Sequence, residues 1–82
     1  MDDILRDVRN VLAQQGRLSV DAMTLDTGVD LYTVGLTSHA SVNVMLALEE
    51  VFGVEFPDEL LRRSTFESIA SIGATLARIG AA

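Results

Sequence analysis

The side chain with the clearest chemical use is the hydroxyl of Ser38, in the segment Gly35-Leu36-Thr37-Ser38-His39. A loop rich in small and turn-forming residues precedes it, and a long apolar run with helical spacing follows it. This order places the hydroxyl at a helix N-terminus, where free backbone N–H groups and the positive end of the helix dipole favour a phosphate. Ser38 is therefore a candidate for attachment of a phosphate-containing group.

The residues that hydrolytic or metal chemistry would need are missing around Ser38. His39 is the only histidine, and adjacent helical residues point about 100° apart, so the two side chains are poorly placed to share a proton. The Gly-x-Ser-x-Gly elbow of serine hydrolases is also absent. Without a cysteine, a second histidine or an Asp-x-Asp-x-Asp-Gly loop, neither zinc nor calcium is expected. The chain is predicted not to be an enzyme.

Acidic residues are concentrated in the middle of the chain, whose net charge is −6. Residues 21–60 contain no Lys or Arg, and their eight acids are Asp21, Asp26, Asp30, Glu49, Glu50, Glu55, Asp58 and Glu59. Such a field repels nucleic-acid phosphates and attracts basic protein surfaces, which favours a protein partner over a nucleic acid. Solubility alone would also explain an acidic surface. Arg62 and Arg63 form a two-charge patch to which the sequence assigns no role.

Length and composition indicate one small domain over residues 1–82, of which 49% are hydrophobic. No run of about 18 apolar residues exists, so no membrane-spanning helix is expected. Met1-Asp2-Asp3 lacks the basic start of a secretory signal, and the absence of cysteine excludes disulfides. These features predict a cytoplasmic protein.

Apolar spacing predicts two long helices in the first part of the chain. The first spans about residues 3–15 and ends at Gly16. The second begins at Ser38 and ends at Phe52, and its apolar side chains cover more than half of its circumference. We therefore expect it to be the most buried helix. Residues 17–37 have no sustained period, and we expect their scattered apolar side chains to fix a long loop across the core.

The residue pattern in the last part of the chain predicts one short helix and one longer helix. Residues 57–61 suit one or two turns, with Pro57 at the first helical position and acids after it. Ser64-Thr65-Phe66-Glu67 has the spacing of a capping box, and a helix follows to about Ile79. No strand pattern of useful length is present. The predicted fold is an all-α, small four-helix bundle with three longer helices, one short helix and a long first loop.

Several segments together resemble the acyl carrier proteins, and the likeness covers nearly the full chain. They are Asp30-Leu31-Tyr32-Thr33-Val34-Gly35-Leu36-Thr37-Ser38, Leu48-Glu49-Glu50-Val51-Phe52-Gly53-Val54, Phe56-Pro57 and Thr65-Phe66-Glu67-Ser68-Ile69. The resemblance implies that a phosphopantetheinyl transferase attaches 4′-phosphopantetheine from coenzyme A to Ser38. It also implies that the thiol of this arm carries acyl or aminoacyl groups as thioesters for partner enzymes.

Five positions depart from the common fatty-acid carriers. Thr37 and His39 stand where those carriers have Asp and Leu, and Ala40, Asn43 and Val51 stand where many of them have acids. A less acidic helix weakens the expectation of docking to the basic faces of fatty-acid synthesis enzymes. The Gly-Leu-Thr-Ser-His form is most similar to the bacterial aminoacyl carrier proteins. This resemblance implies loading with glycine or alanine by an amino acid:carrier protein ligase that resembles a seryl-tRNA synthetase core.

Predicted contacts with partner enzymes lie beside Ser38 and along the second helix, at Thr37, His39, Asn43, Glu49 and Glu50. A fatty-acid or polyketide-type acyl carrier stays open as an alternative, because a long acyl chain needs only an apolar cavity between the helices. Six side chains could line or simply fill such a cavity: Val42, Val44, Met45, Leu46, Ile69 and Ile72. A second alternative is an acidic helical interaction module that never carries a prosthetic group.

Overall fold

The computed structural model of the protein describes residues 2–80, which contain three α-helices, one π turn and three 3-10 turns. The helices are α1 (Asp2–Val11), α2 (Ser38–Phe52) and α3 (Ile69–Arg78). No strand is present between residues 2 and 80, and no helix there has the length and apolar character needed to cross a membrane. The all-α prediction is confirmed. The prediction of a single domain over residues 1–82 reaches beyond the described residues and stays a prediction.

The first helical segment lies where the apolar spacing predicts it. Helix α1 continues directly into a π turn, Leu12–Gly16, and Arg17 then takes a left-handed backbone conformation with φ 53°. The buried side of this segment consists of Ile4, Val8, Val11 and Leu12. Arg9 lies beside that stripe, and its guanidinium donates to the carbonyl oxygens of Ala22 and Leu25 at 2.9 and 2.7 Å. This cation therefore holds the long loop against α1.

The long loop, residues 17–37, crosses the core as expected. Leu31 is 0% exposed, and its backbone N–H donates to the carbonyl of Glu67 at 2.7 Å. A 3-10 turn, Leu31–Val34, begins there, and the Asp30 carboxylate accepts from the backbone N–H of Tyr32 at 2.9 Å. Buried apolar side chains, more than regular secondary structure, therefore keep this loop in a fixed position.

Helix α2 begins and ends at the predicted residues, but it is not the most buried helix. Ala40, Val44 and Leu48 are buried, whereas Val42 and Leu46 are 51% and 52% exposed. Three of its 15 residues are buried, against five of ten in α3. So small a domain has too few neighbouring elements to cover a helix on more than one side. The wide apolar pattern of α2 therefore includes a stripe that faces outward.

The last third of the chain differs from the prediction in two details. The short helix is a 3-10 turn, Asp58–Leu60, and the predicted capping box is wrong. Residues 63–66 form another 3-10 turn, which buries Thr65 and Phe66. Helix α3 begins only after Ser68, whose hydroxyl accepts from the backbone N–H of Ser71 at 3.0 Å. Because Thr65 and Phe66 are buried in this 3-10 turn, the cap of α3 is Ser68 and not Ser64, four residues later than predicted.

The core is mainly aliphatic, with Phe56 and Phe66 among its buried side chains. Val44, Ile69 and Ile72 are each 0% exposed. A void large enough for water would leave accessible surface on the side chains around it, so no such void touches these three. They fill the space between the helices. Of the other cavity candidates, Leu46 lies on the surface and Met45 is half-buried.

Candidate functional site

Ser38 is the first residue of α2 and its side chain is exposed. The preceding Thr37 is extended, and its hydroxyl accepts from the backbone N–H of Ala40 at 3.0 Å. Thr37 therefore caps the helix, and the Ser38 side chain has no capping role. The Ser38 carbonyl accepts from the Ser41 hydroxyl at 2.7 Å. No such bond engages the Ser38 hydroxyl among the residues that the structure describes.

The turn before Ser38 depends on Gly35 and Leu36. Gly35 has φ 112°, a conformation that residues with a side chain rarely adopt, and an added Cβ would lie 3.1 Å from the backbone nitrogen of Ser19. Leu36 is buried, and its N–H donates to the Leu31 carbonyl at 3.0 Å. The loop therefore turns sharply and presents residues 37 and 38 at a defined place on the surface.

A surface cleft of about 340 Å³ opens beside Ser38. Its apolar lining consists of Val42, Met45, Leu61 and Phe66. The polar lining consists of Tyr32, Ser38, Ser41, Arg62 and Arg63. The residue with the candidate attachment hydroxyl thus borders a space that is lined by both apolar and cationic side chains.

Arg62 and Arg63 are the charged residues of this cleft, and the sequence assigned them no role. The guanidinium carbon of Arg63 lies 3.8 Å from the centre of the Tyr32 ring, a cation–π contact. The ion pairs within the described part of the chain join Arg6 to Asp3 and Asp7, so neither cleft arginine has a carboxylate partner there. Their position just after the acidic stretch of residues 21–60 did not indicate which side chains they face.

The predicted partner contacts occupy different environments. His39 and Glu50 are exposed on α2, and Asn43 is half-buried. The carboxylate of Glu49 accepts from the backbone N–H of Phe56 at 2.9 Å, so this residue also ties the chain after α2 to the helix. Contact of these residues and Thr37 with a partner stays a prediction. Residues 2–80 contain no group of three or more acidic or histidine side chains that could hold a metal ion.

Comparison with known proteins identifies this arrangement. Residues 6–77 match the family model described as a phosphopantetheine attachment site. The chain is 46% identical over 69 residues to an aminoacyl carrier protein of Agrobacterium fabrum, covering 84% of this chain and 83% of the relative. It is 34% identical over 56 residues to an acyl carrier protein of Campylobacter hominis, covering 68% of this chain and 70% of that protein.

Among the solved structures that share the fold are two complexes of a glycine:[carrier protein] ligase. One is an engineered Bradyrhizobium japonicum glycine:[carrier protein] ligase complexed with a carrier protein from Agrobacterium tumefaciens and ATP. A chain in it is 43% identical, with 93% of this chain and 99% of that chain covered and a TM-score of 0.89. The other is the B. japonicum ligase complexed with glycylated carrier protein, with 26% identity, 90% and 99% coverage and a TM-score of 0.77. This chain, a carrier and not itself a catalyst, therefore belongs to the acyl carrier protein family, whose domain is a phosphopantetheine attachment site.

Proposed function

We propose that Ser38 carries 4′-phosphopantetheine and that the chain serves as an aminoacyl carrier protein with glycine or alanine as its cargo. A phosphopantetheinyl transferase of the cytoplasm would modify Ser38, and an amino acid:carrier protein ligase would load the arm. The observation that supports this proposal most directly is the exposed hydroxyl of Ser38. It is available for modification because Thr37, and not Ser38, caps the helix. The thiol of the bound arm supplies the chemistry, because the chain itself has no cysteine.

The residues around Ser38 fit such a group. Ser38 is exposed and lines an open cleft, so a transferase can reach its hydroxyl without unfolding the helix. It lies at the start of a 15-residue helix, whose N-terminus favours the negative charge of a phosphodiester. The cap at Thr37 and the turn at Gly35 hold this start in place during transfer. The protein thus holds and presents the arm, while its partner enzymes make and break the thioester bonds.

Packing of the core supports a small cargo over a long acyl chain. Val44, Ile69 and Ile72 leave no water-sized void beside them, so a long chain would have to push the helices apart to be shielded there. A glycyl or alanyl group needs no such space. The similarity to an aminoacyl carrier protein and to chains in glycine:[carrier protein] ligase complexes supports the same choice.

We expect phosphopantetheinylated protein to acquire one glycyl or alanyl thioester when it is incubated with ATP, the amino acid and a glycine:[carrier protein] ligase. Intact-mass spectrometry detects the added residue, and its release by hydroxylamine identifies a thioester. Unmodified protein is the control and should acquire nothing. Loading by acyl ligases with long acyl groups, and none with amino acids, would instead make this a fatty-acid or polyketide-type carrier.

Replacing Glu50 with glutamine should slow ligase loading about two- to threefold at low salt, because one charge that attracts a basic partner surface is lost. The difference should shrink at high salt, where exposed charges are screened. Initial loading rates at both ionic strengths measure the effect. Glu55→Gln is the matched control, since it removes another exposed carboxylate, one that lies outside α2. Equal rates for the two variants at low salt would remove Glu50 from the interface.

A further inference from the structure

We propose that the cleft beside Ser38 is a docking site for the prosthetic arm of the same chain. In this site Arg62 and Arg63 bind the phosphate of the arm, and the apolar lining covers its carbon skeleton. The inference depends on the proposed attachment at Ser38. It goes further by assigning the two arginines and the cleft a defined ligand within the molecule.

The position of Ser38 is the first argument. Ser38 is part of the cleft lining, so an arm bonded to its hydroxyl starts at the edge of the site. A tethered group has an effective concentration in the millimolar range or above, so even a weak intrinsic affinity is enough to keep it bound. A free molecule of the same chemistry would bind far less. The site can therefore be occupied most of the time even if its affinity for the arm is low.

Charge is the second argument. A phosphodiester at Ser38 is negative, and residues 21–60 contribute eight acids and no Lys or Arg. Arg62 and Arg63 are the cationic members of the cleft, and no carboxylate belongs to its lining in the described part of the chain. Guanidinium groups form short, charge-assisted hydrogen bonds with phosphate oxygens. Stacking on Tyr32 at 3.8 Å orients Arg63 before the phosphate arrives.

Apolar surface and size are the third argument. Val42 and Leu61 are 51% and 43% exposed, and both line the cleft together with Met45 and Phe66. Covering them with the methyl and methylene groups of the arm would remove apolar surface from water. The volume of about 340 Å³ lies at the small end of the range for small-molecule sites. It suits a short arm with a small cargo better than an arm extended by a long acyl chain.

The composition of the chain provides two selective probes for the test. Tyr32 is the only tyrosine, no tryptophan is present, and the absence of cysteine makes the arm's thiol the only thiol of the modified protein. The protein is first modified with coenzyme A and a transferase, and intact mass verifies completion. The ring resonances of Tyr32 are then compared before and after modification. Alkylation of the thiol by iodoacetamide is compared with that of free pantetheine over a range of pH, because nearby guanidinium groups also alter thiolate content.

We expect the Tyr32 resonances to shift on modification and the thiolate of the arm to react about fivefold more slowly than that of pantetheine, as for an arm docked about 80% of the time. The double variant Arg62→Gln, Arg63→Gln should lose most of both effects. Arg78→Gln is the control, because it removes an exposed arginine that does not line the cleft. Added salt should weaken docking in the unaltered protein.

The outcomes separate this inference from the function on which it depends. Absence of a mass increase would overturn the attachment at Ser38 itself. A complete mass increase with unchanged Tyr32 resonances and a thiol as reactive as free pantetheine would overturn docking alone. Full docking in the double arginine variant would overturn the assignment of the phosphate to Arg62 and Arg63.

Discussion

Replacing Ser38 with alanine should abolish attachment of 4′-phosphopantetheine, whereas replacing Ser41 with alanine should leave it intact. Both hydroxyls line the same cleft on the first turn of α2. They differ in that the Ser41 hydroxyl donates to the Ser38 carbonyl at 2.7 Å, while that of Ser38 is exposed at the helix start. Intact mass after incubation with coenzyme A and several transferases measures the adduct.

The same experiment decides between a carrier and a simple interaction module. A single adduct on the unaltered protein that is lost only in Ser38→Ala supports the carrier. An adduct that persists in Ser38→Ala would move the attachment to another side chain. If no transferase modifies the unaltered protein, the acidic helical module becomes the better interpretation. Circular dichroism of both variants verifies that the fold is retained, as expected when Thr37 supplies the cap.

Replacing Leu31 with alanine should lower the free energy of unfolding by about 2–5 kcal/mol, a large part of the roughly 5–15 kcal/mol typical of a whole domain. Leu31 is 0% exposed and belongs to the loop that crosses the core. Its backbone also joins Glu67 to Leu36, through one hydrogen bond to each. Loss of its side chain therefore leaves a cavity at the point where the loop meets the residues before α3.

Urea denaturation followed by far-UV circular dichroism measures this loss. Val20→Ala, in the same loop, is the matched control, because Val20 is 42% exposed and should change stability by no more than about 0.5 kcal/mol. Similar stabilities for the two variants would mean that Leu31 does not hold the loop in place. Because the loop positions Gly35 and Thr37, Leu31→Ala should also slow modification of Ser38 at temperatures near its unfolding midpoint.

Local features determined much of this protein from the sequence. The bounds of α2 follow from an apolar run that starts at Ser38, after a loop of small and turn-forming residues, and ends before Gly53, which has φ 64°. The placement of Ser38 at a helix start needs only that information. Such signals succeed because capping and helix periodicity depend on residues within a few positions of each other. The resemblance to carrier proteins likewise used segments that are continuous in the chain.

Tertiary packing decided the features that local signals describe ambiguously. Ser64 and Ser68 are both suitable caps, and the burial of Thr65 and Phe66 in a 3-10 turn selected the second. Packing also decided which part of the apolar pattern of α2 faces the core, leaving Val42 and Leu46 at the surface. A pattern of apolar residues indicates which faces of a helix can be buried. The number of neighbouring elements limits how many of these faces are in fact buried.

The sequence by itself determined an all-α fold, a long loop with apolar anchors and a serine suited to a phosphate at the start of α2. Only the tertiary structure brought Arg62 and Arg63 to the same cleft as Ser38. These residues are far apart along the chain, and the bond from the Leu31 N–H to the Glu67 carbonyl is one of the contacts that join their segments. Such proximity arises from packing between distant segments, which the spacing of residues within one segment does not encode.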